Sequence, residues 1–311
     1  AAYRQKGKTL MNVGPVASAG YDGTGVTVAV LDSGVDYRHP ELSPGGTDSS
    51  AKTVKIWDTI DDDDDPMDAN GHGTSVAAIV AGSVDGVAPK ARIAAVRVMN
   101  AEGKSQNGSV LKGVDKVIES VIGGNPHNIR AVNLSLGGLN SDVWPPNEGT
   151  CDEELPSYKV AFDTLTNAGV LVLAAAGNDG CSTGVAYPGC ISSAMTVGAV
   201  YNTYRGSREW TTTCGGGCED APAQVKQIAC YSNSGTKLAV WAPADCTITA
   251  DWQQEGQLQP VMTYCFNGTS AATPYAAGVA ALLAGAQPGV SPRAIRDAIT
   301  NTGEAITDSR N

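Results

Sequence analysis

The chain has 311 residues, room for one large domain or two small ones, and 42% of them are hydrophobic, enough for a sizeable core. A formal net charge of −11 argues against nucleic acid and anionic membrane surfaces as partners. No apolar run is long enough to span a bilayer.

The first element expected is a short helix over residues 9 to 17, ending near Gly20. Val26 to Leu31 is a nearly continuous, β-branched apolar run. It reads as a strand buried on both faces, which is the habit of parallel sheets. Asp32-Ser33-Gly34 follows it, and functional groups of open α/β sheets gather at such carboxyl ends. The next stretch, Asp58 to Asp68, holds seven carboxylates in eleven residues. By composition it is either a solvated loop or a set of hard oxygen ligands for calcium, although not with EF-hand spacing. Asn70-Gly71-His72-Gly73-Thr74-Ser75 then leads into an apolar helix, Val76 to Gly82, with His72 flanked by glycines at its start.

Further strands are expected at Arg92 to Val98, Arg130 to Leu136, Val170 to Ala176, Ala194 to Val200 and Leu238 to Trp241. Helices are expected at Gly108 to Ile122, Ser157 to Asn167 and Pro292 to Asn301. Between them lie the loop Glu102 to Gln106, a long acidic loop from Leu139 to Pro156, and a Cys- and Gly-rich stretch, 201 to 235, that reads as irregular. The last feature is Asn267-Gly268-Thr269-Ser270-Ala271-Ala272-Thr273-Pro274, which opens a small-residue helix at Ser270 with Pro274 in its first turn. Strands alternate with helices through most of the chain. The fold class expected is α/β: a three-layer, doubly wound, mostly parallel sheet with helices on both faces, in one domain over 1–311.

The eight cysteines show no CxxC spacing, and with three histidines they make a zinc site a poor reading. An even number suggests disulfides and an oxidising compartment, so secretion is expected. Proximity favours Cys181–Cys190, two pairs among Cys151, Cys214, Cys218 and Cys230, and Cys246–Cys265. The chain starts at Ala1 with no signal peptide, as expected of a processed mature form.

Asp32, His72 and Ser270 each sit at a strand end or a helix start among glycines. Together they are an orienter, a base and a nucleophile. Asn178, on the Gly-rich turn Gly177 to Gly180 after a strand, can donate an amide N–H to a developing oxyanion, with the Ser270 N–H as second donor. The order Asp, His, Ser and the absence of a G-x-S-x-G elbow separate the chain from chymotrypsin-like and α/β-hydrolase patterns. The blocks VAVLDSGVD, NGHGTSVA, AAAGNDG and NGTSAATP resemble the four signature blocks of the subtilisin-like serine proteases, and the resemblance spans residues 9 to 302.

That resemblance implies a secreted serine endopeptidase with peptide substrates and its own pro-segment as folding aid and inhibitor, acting as a monomer. It implies that Ser135, Leu136 and Gly137 line the S1 pocket, with Lys104, Ser105 and Gln106 as the opposing strand, so that substrate adds by β-augmentation. Ala186 falls at the pocket floor, where a small residue leaves room for a large apolar P1 side chain. Asp58, Asp61, Asp63, Asp65 and Met67 resemble the calcium loop of thermitase-like members, with Met67 offering its backbone carbonyl, so a structural calcium is expected and no organic cofactor.

The chain departs from the family pattern at Ser75, Ala78, Ala271 and Tyr275, none of which removes a catalytic group. The Leu139–Pro156 loop reads as a disulfide-stapled surface loop. Alternatively, its carboxylates Asp142, Glu148, Asp152, Glu153 and Glu154 bias cleavage toward basic residues. Two other function classes share these motifs: a peptide cyclase or ligase on the same triad, and an inactive calcium-binding homologue.

Overall fold

The computed structural model of the chain describes residues 6–43, 52–138, 149–252, 261–308 and 310. Its strands are β1 (Thr27–Asp32), β2 (Thr53–Asp58), β3 (Arg92–Arg97), β4 (Ile129–Leu134), β5 (Leu171–Ala175), β6 (Met195–Tyr201), β7 (Arg208–Trp210), β8 (Cys218–Asp220), β9 (Leu238–Ala244), β10 (Thr247–Asp251) and β11 (Val261–Phe266). Its helices are α1 (Lys6–Leu10), α2 (Val13–Ser18), α3 (His72–Ala81), α4 (Asn107–Ile122), α5 (Pro156–Asn167), α6 (Thr269–Ala286) and α7 (Pro292–Thr302).

Seven strands form one sheet in the order β2-β3-β1-β4-β5-β6-β9, and every pair in it is parallel. The alternation of the strand faces explains the layers. Val28 and Val30 of β1 join a core with α3 and α6, whereas Ala29 and Leu31 join a second core with α4 and α5. Both faces of β1 are therefore dry, as its unbroken apolar run requires. On α4, Val110, Val114, Val117 and Val121 recur at helical spacing and are buried. Each such side chain contributes about 1.5–3 kcal/mol when fully removed from water. The final helix is fixed locally: the Ser291 side chain accepts from the Ala294 N–H at 3.2 Å, and Pro292 opens the first turn.

Several elements differ from the sequence reading. The helix over 9 to 17 is two short helices, because Asn12 takes a left-handed conformation (φ 55°) between them. Strand β2 carries Lys55 and Asp58 and lies at the sheet edge with only Val54 and Asp58 buried, so it lacks a continuous apolar run. The hairpin of β10 and β11 covers one side of α3: Ser75 Oγ donates to Ala250 O at 2.8 Å and Thr249 Oγ1 to Ser75 O at 2.8 Å. The stretch 201 to 235 is not wholly irregular, since β7 and β8 pair antiparallel within it.

Pro274 lies in the second turn of α6 rather than the first. A residue with an N–H there would bond the Ser270 carbonyl. That carbonyl instead accepts from the Ser135 hydroxyl at 3.0 Å.

The disulfides are Cys151–Cys190, Cys181–Cys214, Cys218–Cys230 and Cys246–Cys265, with no cysteine free. The expected Cys181–Cys190 pair is corrected. Cys190 sits on the turn ahead of β6, where its carbonyl accepts from the Cys151 N–H at 3.2 Å, whereas Cys181 faces the insertion that carries Cys214. Nearness in sequence is not nearness in space. Among the described residues no helix is long and apolar enough to cross a membrane.

Candidate active site

Strand β1 ends at Asp32, and α3 begins at His72 beside it. Gly73 permits the approach: a Cβ there would lie 2.0 Å from the Gly34 carbonyl and 3.0 Å from Asp32 Cβ. The result is a bond of 2.7 Å between His72 Nδ1 and Asp32 Oδ1. Asp32 is fully buried, and its Oδ1 also accepts from the Ser33 N–H at 2.8 Å. An acceptor on Nδ1 places the ring proton there and leaves Nε2 as the basic nitrogen. Phe266 packs edge-on against the imidazole, with centroids 5.1 Å apart.

The sequence pattern places Asp68 only among the loop carboxylates, yet it organises this corner. Its Oδ1 accepts from Ser33 Oγ at 2.8 Å and from the Asn70 and Gly71 N–H groups at 2.9 Å. Its Oδ2 accepts from the Thr74 N–H at 2.9 Å and from the Thr74 hydroxyl. This buried carboxylate thus takes the free Thr74 N–H of the first turn of α3 at its positive end, while the Gly73 N–H goes to Ser33 Oγ at 2.9 Å and the His72 N–H to Asn70 Oδ1 at 3.4 Å. The N-cap position of α3 is Gly71, so no N-cap side chain in the sequence marks Asp68 as the acceptor. Burial pulls the His72 imidazole down, but the Asp32 charge and hydrogen bond and the Asp68 charge outweigh it and hold it above its ordinary value.

Ser270 is the second residue of α6, at the end of a loop held by Asn178. The Asn178 Oδ1 accepts from the Thr269 N–H at 2.8 Å and the Thr269 hydroxyl at 3.0 Å. With its oxygen committed, the amide presents its NH2 end as a donor. The Ser270 hydroxyl donates to the Ser135 carbonyl at 2.9 Å.

His72, Asn178 and Ser270 line one cleft of about 550 Å³. Lys104, Ser105, Ser135, Leu136, Gly137 and Ala186 line it as well. Gln106 is not among its lining residues; it precedes the first turn of α4. Ala186 is 2% exposed, and a Cβ on Gly137 would lie 3.3 Å from it. Met99, Val110 and Tyr187, which the sequence reading does not single out, also reach the cleft. Asp152 is not among the residues that line the cleft, and its carboxylate accepts from the Ser192 N–H at 2.8 Å and hydroxyl at 2.6 Å. Asp142 and Glu148 lie outside the described residues.

Part of the acidic loop's charge is met by the protein's own cations. Arg97 Nη1 bonds Asp58 Oδ2 at 2.8 Å and Asp61 Oδ2 at 2.7 Å. Asp65 accepts from Tyr37 at 2.6 Å and pairs with Lys55 at 3.2 Å. Asp63 Oδ1 accepts from the Asp65 N–H at 2.9 Å, and the Met67 carbonyl lies against Gly34. Among the described residues no three His, Cys, Asp or Glu side chains are gathered as a metal site. Asp58, Asp61 and Asp65 already hold partners, so a cation here would compete with Arg97 and Lys55 for their oxygens.

A buried Asp bonded to a half-buried His, with a half-buried Ser at a helix start in the same cleft as that His, defines an α/β protein built for nucleophilic chemistry. The Subtilase family matches residues 23–310, and the chain belongs to that family. It is 33% identical to a thermophilic serine proteinase of Bacillus sp. (strain AK1), over 91% of this chain and 58% of that protein. It is 31% identical to subtilisin E of Bacillus subtilis (strain 168), over 94% of this chain and 64% of that protein. It is 32% identical to alkaline serine exoprotease A of Vibrio alginolyticus, over 94% of this chain and 45% of that protein. The crystal structure of a cold-adapted subtilisin-like serine proteinase superposes with a TM-score of 0.69 at 28% identity, covering 93% of this chain and 87% of that one. The chain thus spans between 45% and 64% of the length of these three curated relatives.

Proposed function

We propose that this chain is a serine endopeptidase acting on protein and peptide substrates through an acyl-enzyme. The observation that carries the reading is the single cleft that holds Ser270, His72 with its Asp32 bond, and Asn178 with its oxygen tied to Thr269. Rotation about the Ser270 Cα–Cβ bond takes Oγ from the Ser135 carbonyl toward His72 Nε2. The imidazole accepts the hydroxyl proton as Oγ attacks the substrate carbonyl carbon. Asp32 stabilises the imidazolium and keeps the ring in orientation. The oxyanion accepts from the Asn178 NH2 and the Ser270 N–H, and one such side-chain donor is worth about 3–4 kcal/mol of barrier. His72 then protonates the leaving amine, water enters, and the same steps reversed release the acid.

Leu136, Gly137 and the small Ala186 support a large apolar P1 side chain. Backbone along Ser135–Gly137 and Lys104–Ser105 supports an extended peptide between them. Secretion, a monomeric state and a pro-segment partner belong to the same reading. Four disulfides support the first of these.

Calcium is a separate proposal with a condition. A cation on the loop requires Arg97 to release Asp58 and Asp61, because the two positive groups compete for the same oxygens. When bound it would tie the loop down, and no step of the reaction passes through it. A rise in Tm with added calcium, larger in Arg97→Ala than in wild type, supports this; a Tm insensitive to calcium and chelator in both removes it.

The catalytic reading is tested with a sulfonyl fluoride. It should attach to Ser270, as read by peptide mass spectrometry, and attachment should be lost in His72→Ala. Labelling elsewhere, or equal labelling in His72→Ala, contradicts it.

A further inference from the structure

The turn Gly177–Cys181, which carries Asn178, is gripped by a residue far away in sequence. Asn233 is fully buried. Its Oδ1 accepts from the Asp179 N–H at 2.9 Å and the Cys181 N–H at 3.1 Å. Its Nδ2 donates to Asp179 Oδ2 at 2.9 Å, and its backbone N–H donates to the Gly177 carbonyl at 3.0 Å. Gly177 takes φ 99°, and a Cβ there would lie 2.4 Å from Asn233 Nδ2. The turn is thus wrapped onto this one amide.

The Cys-rich insertion holds the outer side of the same turn. Thr213 Oγ1 donates to Asp179 Oδ1 at 3.1 Å, the Cys214 N–H donates to the Asp179 carbonyl at 2.8 Å, and Cys181 is crosslinked to Cys214. The side-chain oxygen of Asn178 is held by Thr269. Between them, these contacts fix both the backbone and the amide plane of Asn178.

We propose that Asn233 is a positioning residue for the oxyanion donor: it sets the height of the Asn178 amide over Ser270 without touching substrate. The proposal rests on the oxyanion reading of Asn178 given above. A donor held only loosely is a poor match to a charge that exists only in the transition state, so its displacement lowers kcat and spares ground-state binding. A displacement of about 1 Å in a catalytic group costs on the order of 100-fold in rate.

The test is a double-mutant cycle between positions 233 and 178, read as kcat and KM on a chromogenic peptide, as affinity for a peptide boronate that forms a tetrahedral adduct on serine, and as Tm. Asn233→Ala is expected to lower kcat about 10- to 100-fold with KM within about twofold, and to weaken the boronate by a similar factor. In an Asn178→Ala background the same substitution is expected to cost almost nothing further in kcat. If Asn233→Ala does not fold, the cycle is run with Asn233→Asp. That variant keeps the two acceptor positions but sets a buried carboxylate against Asp179 Oδ2, which pushes the turn out of place, so a loss of kcat with the same non-additivity is expected. A wild-type kcat at position 233, or a loss that is undiminished in Asn178→Ala, overturns the proposal. A wild-type kcat in Asn178→Ala alone overturns the oxyanion reading beneath it.

Discussion

Asp68 sits behind His72, at the positive end of the helix that carries it, and adds its charge to that of Asp32 in the pH behaviour of the site. Burial favours the neutral imidazole, while the Asp32 charge, its hydrogen bond and the Asp68 charge favour the cation and prevail. A general base must be neutral, so kcat/KM rises with pH along a limb that lies above the ordinary histidine value of about 6.5. Asp68→Asn removes one of the raising charges and should move the limb to lower pH. A limb that stays put or rises contradicts this electrostatic account. Beside the nucleophile, Ala271 is buried and carries no thioether. Activity should therefore survive mild peroxide; a rapid loss with Ser270 chemically unmodified would contradict that. At this scale the sequence was most legible where a residue type has few structural uses. His72 between two glycines and Ser270 after Gly268-Thr269 stand out, and the structure brings both to one cleft. Asp68 did not stand out, because one cap among seven carboxylates looks like its neighbours until hydrogen bonds distinguish it.

Helix α6 illustrates how a local irregularity is absorbed by a neighbouring element. Pro274 leaves the Ser270 carbonyl without its helical donor, and the Ser135 hydroxyl after β4 takes that place. Ser135→Ala should cost about 1–3 kcal/mol, since it strips a bond from a carbonyl that the helix cannot satisfy. Adding Pro274→Ala returns an N–H to that carbonyl. In urea unfolding, Pro274→Ala should therefore be less harmful in the Ser135→Ala background than in wild type, and equal effects would contradict the link. Strand β1 was visible from its unbroken apolar run, which only burial on both faces explains. Strand β2 was not, because an edge strand with Lys55 and Asp58 has no such run. The hairpin of β10 and β11 leaves little trace in the sequence for a related reason: it is covered by α3, a partner remote in sequence.

Across the whole molecule, disulfides replace some of the work of regular structure in the Gly-rich half. Cys151–Cys190 closes a separation of 39 residues and Cys218–Cys230 one of 12. Loop-closure entropy makes the longer crosslink the more stabilising by about 1 kcal/mol. Paired Cys→Ser substitutions should rank in that order in chemical unfolding, and the reverse order would show that native-state contacts outweigh chain entropy. Their pairing was not readable from spacing, because it depends on which loops the sheet brings together. The proposed reaction belongs to the whole cleft, with Ser270 attacking peptide carbonyls and His72, Asp32 and Asn178 arranged around it. Digestion of a diverse peptide library, read by mass spectrometry with Ser270→Ala alongside, tests it most directly. Wild type should cleave internally after large apolar residues, and Ser270→Ala should not cleave at all. An intact library with wild type, joined ends in place of cut ones, or equal cleavage by Ser270→Ala would contradict it.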